Sequence, residues 1–244
     1  PGRADGRALY LKHARRGKNR RAGLVSSAAR LKEGKHIGTM KIGVLALQGD
    51  FAEHSVMLQR LGVEAIEVRL PEQLEGLDGL IIPGGESTTF GKLAVHYGLI
   101  EPLRQFALQK AVWGTCAGAI FLAKDAQRPQ PLLQLMDITV ERNAFGRQVA
   151  SFETDLSVPA LRQVDPSDRP YHAVFIRAPL IESVQGDAQA LASLPDGSIV
   201  AAQQGHWLAT SFHPELTEDE RFHRYFTWLV EQTRDSRPEA HPGG

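Results

Sequence analysis

From Met40 onward, short apolar runs alternate with longer stretches whose apolar residues recur at helical spacing, and this alternation constrains the fold most. Runs at 42–47, 65–68, 79–82 and 111–114 have the length and composition of buried strands. The stretches between them predict helices that connect parallel strands and cover both faces of a sheet. We therefore predict an α/β fold, a single three-layer domain with a central, mostly parallel sheet.

Capping residues and glycines predict where the helices of this half begin and end. Asp50 is predicted to cap a first helix that ends at Gly62, and Ser87 or Thr88 to cap a second. A further helix is predicted over 100–109. Each of these helices is long enough to cross from one strand of a parallel sheet to the next.

After Asp137 the pattern changes to shorter strands joined by turns. These strands are predicted at 138–140, 148–152, 174–177, 198–202 and 207–211. The proline-rich segment 158–170 predicts an exposed loop, and 218–232 predicts a terminal helix. The apolar residues expected on the inner face of that helix are Phe222, Tyr225, Phe226, Leu229 and Val230.

The formal net charge of zero conceals an uneven distribution along the chain. Residues 1–39 contain eleven Lys or Arg and two acids, and the remainder contains 17 basic and 26 acidic residues. A basic, acid-poor leader suggests a nucleic-acid arm or a transit peptide, but it lacks apolar periodicity and stops directly before the first strand. We assign 1–39 to a non-native or disordered leader, 40–233 to the domain and 234–244 to a disordered tail, and expect no nucleic-acid partner.

Cysteine content and apolar run length bear on the compartment. No run approaches the roughly 18 consecutive apolar residues of a membrane span, so no membrane association is expected. Cys116 is the only cysteine, which excludes an intrachain disulfide and suits a reducing compartment. We expect a cytoplasmic protein.

That cysteine occupies a position suited to a nucleophile. Cys116 lies between a predicted strand and a predicted helix over 119–123, with Gly114 and Gly118 on either side. Small neighbours permit the sharp turn of a nucleophile elbow, and the unpaired amides of a helix N-terminus favour the thiolate. The N–H of Ala117 is placed to stabilise an oxyanion. The alternative is a buried structural cysteine, the usual role of a lone Cys.

A His-Pro-Glu motif at 213–215 supplies a candidate base. The residue before a proline is held extended, and side chains two residues apart in an extended segment point the same way. His213 with Glu215 as its orienting carboxylate would complete a Cys–His–Glu triad. The alternative is that His213 only satisfies a strand end, and His172 and His206 are the competing histidines.

A glycine loop at 83–89, with the sequence Pro-Gly-Gly-Glu-Ser-Thr-Thr, follows the predicted strand at 79–82. Glycines at a strand end let backbone amides approach a ligand, and successive amides form an anion nest. The spacing and lysine of a Walker loop are absent. This loop and the cysteine turn both follow strands of a parallel sheet, at the edge where such folds bind ligands. A tight turn before a helix is the simpler alternative.

Six segments in one order and spacing lie at 46–49, 83–89, 114–118, 142–148, 175–179 and 213–216. From Met40 to about Leu229 they resemble the glutaminase subunits of pyridoxal phosphate synthase, a branch of the class I, triad-type glutamine amidotransferases. The cysteine elbow and His-Pro-Glu are shared by triad amidotransferases generally. Gly-Gly-Glu-Ser-Thr-Thr, Arg-Asn-Ala-Phe-Gly-Arg-Gln and Phe-Ile-Arg-Ala-Pro are specific to this branch. The resemblance implies a flavodoxin-like form of the α/β fold.

The resemblance also implies an activity, the hydrolysis of L-glutamine to L-glutamate and ammonia. Cys116 would form a glutamyl thioester, His213 would transfer protons and Glu215 would orient the ring. The oxyanion hole is implied at Ala117 and Gly84. The implied glutamine contacts are Gly85, Glu86, Ser87, Arg142, Ile176 and Arg177.

By the same resemblance, the ammonia passes to a separate synthase subunit in a hetero-oligomer. That subunit combines it with a pentose phosphate and a triose phosphate to make pyridoxal 5′-phosphate, a form of vitamin B6. The glutaminase itself is expected to need no metal and no cofactor. Gln48 and the Gly49-Asp50 turn form the region expected to respond to docking, because they follow the first strand.

Three other functions fit parts of the pattern. A glutaminase that feeds another synthase, such as one for imidazole rings, is disfavoured by the branch-specific segments. A catalytically inactive interaction subunit is disfavoured by the presence of all three triad residue types. A nucleotide-binding domain, with Gly84 and Gly85 in a phosphate loop, predicts nucleotide affinity and indifference to the loss of Cys116.

Overall fold

The computed structural model describes residues 39–142 and 151–236. The leader prediction at 1–38, the motif residues 143–148 and the tail prediction from 237 onward lie outside the described residues. Within the described residues, no helix combines the length and apolar character needed to cross a bilayer.

The chain alternates strands and helices in its first half and is richer in strands in its second. The strands are β1 (Lys41–Leu45), β2 (Glu64–Val68), β3 (Gly79–Ile82), β4 (Ala111–Thr115), β5 (Ala123–Asp125), β6 (Met136–Glu141), β7 (Ser151–Leu156), β8 (Tyr171–Ile176), β9 (Leu180–Val184), β10 (Gln189–Ser193), β11 (Ile199–Gln204) and β12 (Trp207–Thr210). The helices are α1 (Phe51–Arg60), α2 (Ser87–His96), α3 (Ile100–Ala107), α4 (Ala117–Leu122) and α5 (Arg221–Asp235), with short 3₁₀ turns at Pro71–Leu74, Pro159–Gln163 and Pro214–Leu216.

The central sheet has a parallel half and a largely antiparallel half. Strands run in the order β2-β1-β3-β4-β12, and every pair in this half is parallel. The sheet continues through β11, β9, β6 and β5, with antiparallel pairing from β12 to β6, and β10 pairs with β11. Strands β7 and β8 form a separate antiparallel pair. The predicted mostly parallel α/β sheet is confirmed.

Side-chain alternation along the strands produces two apolar layers. In β1, Ile42 and Val44 face a cluster that contains Leu58 of α1 and Phe226 of α5. Leu45 faces the opposite cluster, which contains residues of α2, α3 and α4. Since side chains of a strand alternate between faces, a continuous apolar run is buried on both sides. The three-layer arrangement follows from this pattern.

The end of the terminal helix differs from its prediction. Helix α5 begins at Arg221 because Asp219 accepts both the backbone N–H and the guanidinium of Arg221, which fixes a turn before the helix. The helix continues to Asp235 and so includes Arg234 and Asp235, which were predicted to belong to the tail. The guanidinium of Arg234 lies 3.5 Å from the carboxylate of Asp78. All five predicted inner-face residues are buried.

The predicted loop at 158–170 is only partly exposed. A 3₁₀ turn covers Pro159–Gln163, and Leu161 and Val158 are buried in the core beside the β7–β8 pair. The prolines of this segment predict an irregular loop. A single 3₁₀ turn forms nevertheless, because a proline is tolerated at the first position of a helical turn.

Candidate active site

A single residue, Cys116, forms the strained connection between β4 and α4. Strand β4 ends one residue before it and α4 begins one residue after it, and its φ of 48° and ψ of −106° are unusual for a residue with a side chain. A Cβ on Gly118 would overlap the carbonyl oxygen of Ile82, and one on Gly114 would overlap the backbone of Gly118. The N–H of Cys116 donates to the carbonyl of Thr210, 2.8 Å away. The glycines therefore permit the close packing that presents the thiol.

His213 and Glu215 are joined by a short hydrogen bond. Nδ1 of His213 lies 2.7 Å from Oε1 of Glu215, and both side chains are buried. The geometry was predicted from an extended segment, but Pro214–Leu216 is a 3₁₀ turn. The backbone N–H of His213 donates to Val174 in β8 and places the ring at the sheet edge.

Contacts within the site shift the pKa of His213 and that of Glu215. Burial acts to lower the pKa of His213, but hydrogen bonds and charge interactions with Cys116 and Glu215 outweigh it and raise this pKa to about 11. Burial raises the pKa of Glu215, and the hydrogen bond with His213 opposes that effect. With its pKa raised, the ring of His213 is protonated at neutral pH and can donate a proton to a leaving group.

Asp50 adds a second carboxylate on the same ring nitrogen. Its Oδ2 lies 3.5 Å from Nδ1 of His213, although the side chain is partly exposed. Asp50 occupies the N-cap position of α1, but its side chain makes no capping hydrogen bond, so the predicted capping role is wrong. Its φ of −87° and ψ of 43° lie outside the extended region from which a cap usually reaches back to the helix.

The carboxylate and imidazole atoms here are close enough to surround a cation. Ligand atoms of Asp50, His213 and Glu215 lie within 4.8 Å of one another. However, a protonated imidazole has no free lone pair for a metal, and the raised pKa of His213 favours the protonated ring. The group suits proton transfer better than metal binding.

The glycine loop lies against the imidazole. Strands β3 and β4 are neighbours and parallel, so the loop after β3 and the turn at Cys116 share one sheet edge. A Cβ on Gly84 would lie 2.6 Å from Cε1 of His213, so only glycine fits there without displacing the ring. Ala117, as the first residue of α4, has no acceptor for its N–H within the helix. Gly84 and Ala117, the predicted oxyanion residues, therefore both adjoin the triad candidates.

Glu86, and not Ser87 or Thr88, caps helix α2. Its carboxylate accepts the backbone N–H groups of Thr88 and Thr89, at 3.1 and 2.7 Å. Hydrogen bonding with Thr89 is the main reason that the pKa of Glu86 falls to about 2. The prediction chose short hydroxyl side chains because they are common caps, but here the glutamate before them reaches the same amides.

Arg142 joins the same helix end. Its guanidinium lies 3.0 Å from Oε1 of Glu86, 2.9 Å from the hydroxyl of Thr88 and 3.3 Å from the side-chain oxygen of Gln130. The hydroxyl of Ser87 lies 3.5 Å from the same oxygen of Gln130. Three predicted glutamine contacts thus form one cluster. Gln130 was not predicted, because it lies in a Gln- and Pro-rich stretch without a motif.

Gly85 and the remaining two predicted contacts lie on other sides of the site. Gly85 has a φ of 145° and lies against the side chain of Gln48, whose Oε1 accepts the backbone N–H of Glu86 at 3.0 Å. The carbonyl oxygen of Ile176, at the end of β8, lies 3.9 Å from Sγ of Cys116. Arg177 follows with a φ of 46°. Of these three predicted contacts, Ile176 lies beside the thiol and Gly85 lies against Gln48.

The competing histidines lie in other environments. His172 is exposed between Glu153 and Asp155, at 3.0 and 2.9 Å. His206 bonds to the carbonyl oxygen of Ala107 at 2.8 Å. Neither residue belongs to the cluster around Cys116.

Sequence reasoning missed two buried histidines behind the triad candidates. His54 of α1 and His223 of α5 are both fully buried, and Nε2 of His54 lies 3.3 Å from Oε2 of Glu215. The available signal was a polar residue at a core-facing position of an amphipathic helix.

Comparison with known proteins identifies the family of this chain. The model of the SNO glutamine amidotransferase family matches residues 44–233. The chain is 59% identical over 195 residues to the pyridoxal 5'-phosphate synthase subunit PdxT of Herpetosiphon aurantiacus, covering 78% of this chain and all of that protein. It is 56% identical over 191 residues to the PdxT of Roseiflexus sp., covering 77% of this chain and 98% of that protein.

A solved structure supports the same relationship. A crystal structure described as a glutamine amidotransferase is 52% identical, with a TM-score of 0.72, and the match covers 78% of this chain and 98% of that one. This likeness confirms the predicted class I amidotransferase fold. Together with the family model, which matches most of the chain, it shows that the chain belongs to the SNO glutamine amidotransferase family.

Proposed function

We propose that this protein hydrolyses L-glutamine to L-glutamate and ammonia, and that the ammonia is used to make pyridoxal 5′-phosphate. The observation that carries the proposal is the strained thiol of Cys116 beside a His213 ring that Glu215 binds at 2.7 Å. Supporting the pathway, relatives with more than half of their residues identical are named as subunits of pyridoxal 5'-phosphate synthase.

The first chemical step is attack by the thiolate of Cys116 on the side-chain amide carbon of glutamine. The carbonyl π electrons move to oxygen and form a tetrahedral oxyanion. Backbone N–H groups of Ala117 and of the loop at Gly84 are the proposed donors to that oxygen. Loss of one such donor typically lowers the rate about 100-fold or more.

The second step is the departure of ammonia. The imidazolium of His213 gives its proton to the amide nitrogen, the C–N bond breaks, and a glutamyl thioester remains on Cys116. The now neutral ring takes a proton from water, and the resulting hydroxide attacks the thioester and releases glutamate. Glu215 keeps the ring oriented throughout, as a third member does in other triads.

The proposed amino acid site uses the charge pair at the start of α2. Glutamine carries a carboxylate and an ammonium on its α-carbon, and Arg142 and Glu86 offer the complementary charges. Gly85, Ser87, Ile176 and Arg177 complete the proposed contacts. A guanidinium binds a carboxylate through two parallel hydrogen bonds, which gives both affinity and orientation.

The proposed partner is a pyridoxal 5′-phosphate synthase subunit in a hetero-oligomer, and neither nucleic acid nor membrane has a part in the proposal. Two residues with exposed apolar side chains neighbour site residues: the backbone carbonyl of Ile176 contacts Cys116, and Leu216 follows Glu215 in the chain. A cytoplasmic location is also proposed, since the free thiol of Cys116 suits a reducing compartment.

Covalent trapping tests this chemistry. A glutamine analogue with an electrophilic carbon in place of the side-chain amide should label Cys116 stoichiometrically, and excess glutamine should protect it. Cys116→Ala should remain unlabelled, and His213→Gln should label slowly. Labelling that glutamine does not slow would contradict a glutamine site and favour the inactive-subunit alternative.

A further inference from the structure

Behind the triad candidates, four buried polar side chains form a continuous chain. Nε2 of His223 lies 3.0 Å from Nδ1 of His54. Nε2 of His54 in turn lies 3.2 Å from the hydroxyl of Thr115 and 3.3 Å from Oε2 of Glu215. Both histidines have no surface exposed to bulk solvent.

The available donors and acceptors determine which ring nitrogens of His54 and His223 carry protons. If Nδ1 of His54 carried the proton, Nε2 of His54 would turn a lone pair toward the carboxylate, and His223 would bury an unpaired N–H on Nδ1. If both protons lie on Nε2, His223 donates to His54 and His54 donates toward Thr115 and Glu215. Among the described residues, two acceptors of this chain, Nδ1 of His223 and Oε2 of Glu215, then lack a hydrogen-bond partner, and no buried ring N–H is left without an acceptor. The second arrangement is preferred because a buried donor without an acceptor is costly.

Charge states agree with a neutral donor chain. Burial, with added repulsion from His223 and His213, lowers the pKa of His54 well below its usual value. Burial also lowers the pKa of His223 to about 3. His54 is therefore an uncharged N–H donor at neutral pH, and the titratable groups around it are His223, His213 and Glu215.

Glu215 needs such support because its carboxylate is buried and His213 binds only one of the two oxygens. Oε1 binds His213, whereas Oε2 has no hydrogen bond of its own among the residues described. The better aligned hydrogen bond of His54 goes to Thr115, and the same N–H is an electrostatic contact for Oε2. Without it, the buried carboxylate would take a proton more readily, and the protonated acid no longer orients or stabilises an imidazolium.

We propose that His54 is a positioning residue for glutamine hydrolysis, whose Nε2–H supports the inner oxygen of Glu215 and thereby keeps the outer oxygen on His213. The inference rests on the proposed function. It assigns a role in the reaction to a side chain that lies behind Glu215 and does not touch the substrate.

Two amide substitutions separate this role from packing. The side-chain nitrogen of glutamine falls near Nε2 of a histidine, and that of asparagine falls near Nδ1. His54→Gln therefore keeps a donor toward Glu215, whereas His54→Asn keeps a polar group only toward His223. His223→Gln is the matched control, because it changes the same buried chain one residue farther from Glu215.

The measurements are glutamine turnover with the synthase subunit, and the rate of Cys116 alkylation by iodoacetamide as a function of pH. His54→Asn should lower kcat about 10- to 100-fold with KM unchanged. Its acid limb, in turnover and in alkylation, should move to higher pH because Glu215 protonates more readily. The kcat values of His54→Gln and His223→Gln should stay within about threefold of the wild-type value.

Two results would overturn the inference: equal kcat and equal acid limbs for the folded Asn and Gln variants, or an equal loss in His223→Gln. If His54→Asn does not fold, the Gln variant decides, and a tenfold loss there counts against the role. Alkylation does not require glutamine, so a wild type inactive toward glutamine would refute the proposed function while the pH limbs still test His54.

Discussion

Arg142 and Glu86 form a 3.0 Å ion pair at the start of helix α2, and the same glutamate caps that helix. Hydrogen bonds with Thr88, Thr89 and Gln130 orient both side chains of the pair. In the proposed function, this oriented pair binds the α-ammonium and α-carboxylate of glutamine, and its fixed geometry lowers the entropy cost of binding.

The first prediction concerns this pair. Arg142→Met should raise the KM for glutamine at least tenfold and leave alkylation of Cys116 by iodoacetamide unchanged, because the guanidinium binds the head group and not the reacting carbon. Arg162→Met, which removes an exposed arginine paired with Asp168, is the control and should behave as the wild type. A fall in kcat at constant KM would argue against the assigned binding role.

The second prediction concerns the elbow. Gly118→Ala should lower the free energy of unfolding by about 2 kcal/mol or more and abolish turnover, because the new methyl group overlaps the carbonyl oxygen of Ile82. Gly76→Ala is the matched control: its φ of 74° is strained for alanine, but no atom lies within 4 Å of the added carbon. That variant should cost only about 1 kcal/mol and retain activity. Urea unfolding and turnover of both variants measure the difference, and equal costs would contradict the close-packing argument.

The third prediction concerns the pH dependence of stability. The pKa of His223 is lowered to about 3 by burial, so the unfolded chain binds a proton below about pH 6.5 that the folded chain does not. Stability should therefore be complete above pH 6.5 and fall as the pH drops toward 3, by up to about 1.4 kcal/mol per pH unit from this residue. His223→Phe should flatten that slope in urea titrations between pH 6.5 and 4.5. An unchanged slope would show that His223 titrates alike in both states.

Gln48 carries the fourth prediction. Its side chain accepts the N–H of Glu86 and packs against Gly85, so it connects the loop after β1 to the glycine loop. Gln48→Ala should reduce partner-stimulated turnover while leaving the fold intact by circular dichroism. Stimulated turnover equal to that of the wild type would remove Gln48 from the response to docking.

Much of the parallel half of the fold was predictable from the sequence. Strands such as Gly79–Ile82 are buried on both faces, so their residues form continuous apolar runs that a local pattern identifies. The strands at Ala123–Asp125, Leu180–Val184 and Gln189–Ser193 were missed. They are short and partly exposed, and their pairing depends on distant partners that no local pattern encodes.

The residues of the candidate site likewise divide into those that local sequence predicts and those that it does not. The turn at Cys116 follows from local glycine spacing. The pairing of His213 with Glu215 was also predicted, although from an extended segment where the structure has a 3₁₀ turn. Gln130 and His54 reach the site from distant segments and carry no motif, so only the folded chain brings them there. Glu86 was predicted as a glutamine contact, but its hydrogen bonds to the first amides of α2 were not predicted.

The most direct test of the central claim is glutamate release from glutamine by residues 40–244, measured with and without a pyridoxal 5′-phosphate synthase subunit. The account predicts turnover that the synthase subunit stimulates strongly and that Cys116→Ala eliminates. Turnover indifferent to that subunit would contradict the proposed pathway, and absence of Cys116-dependent turnover in both conditions would contradict the glutaminase itself.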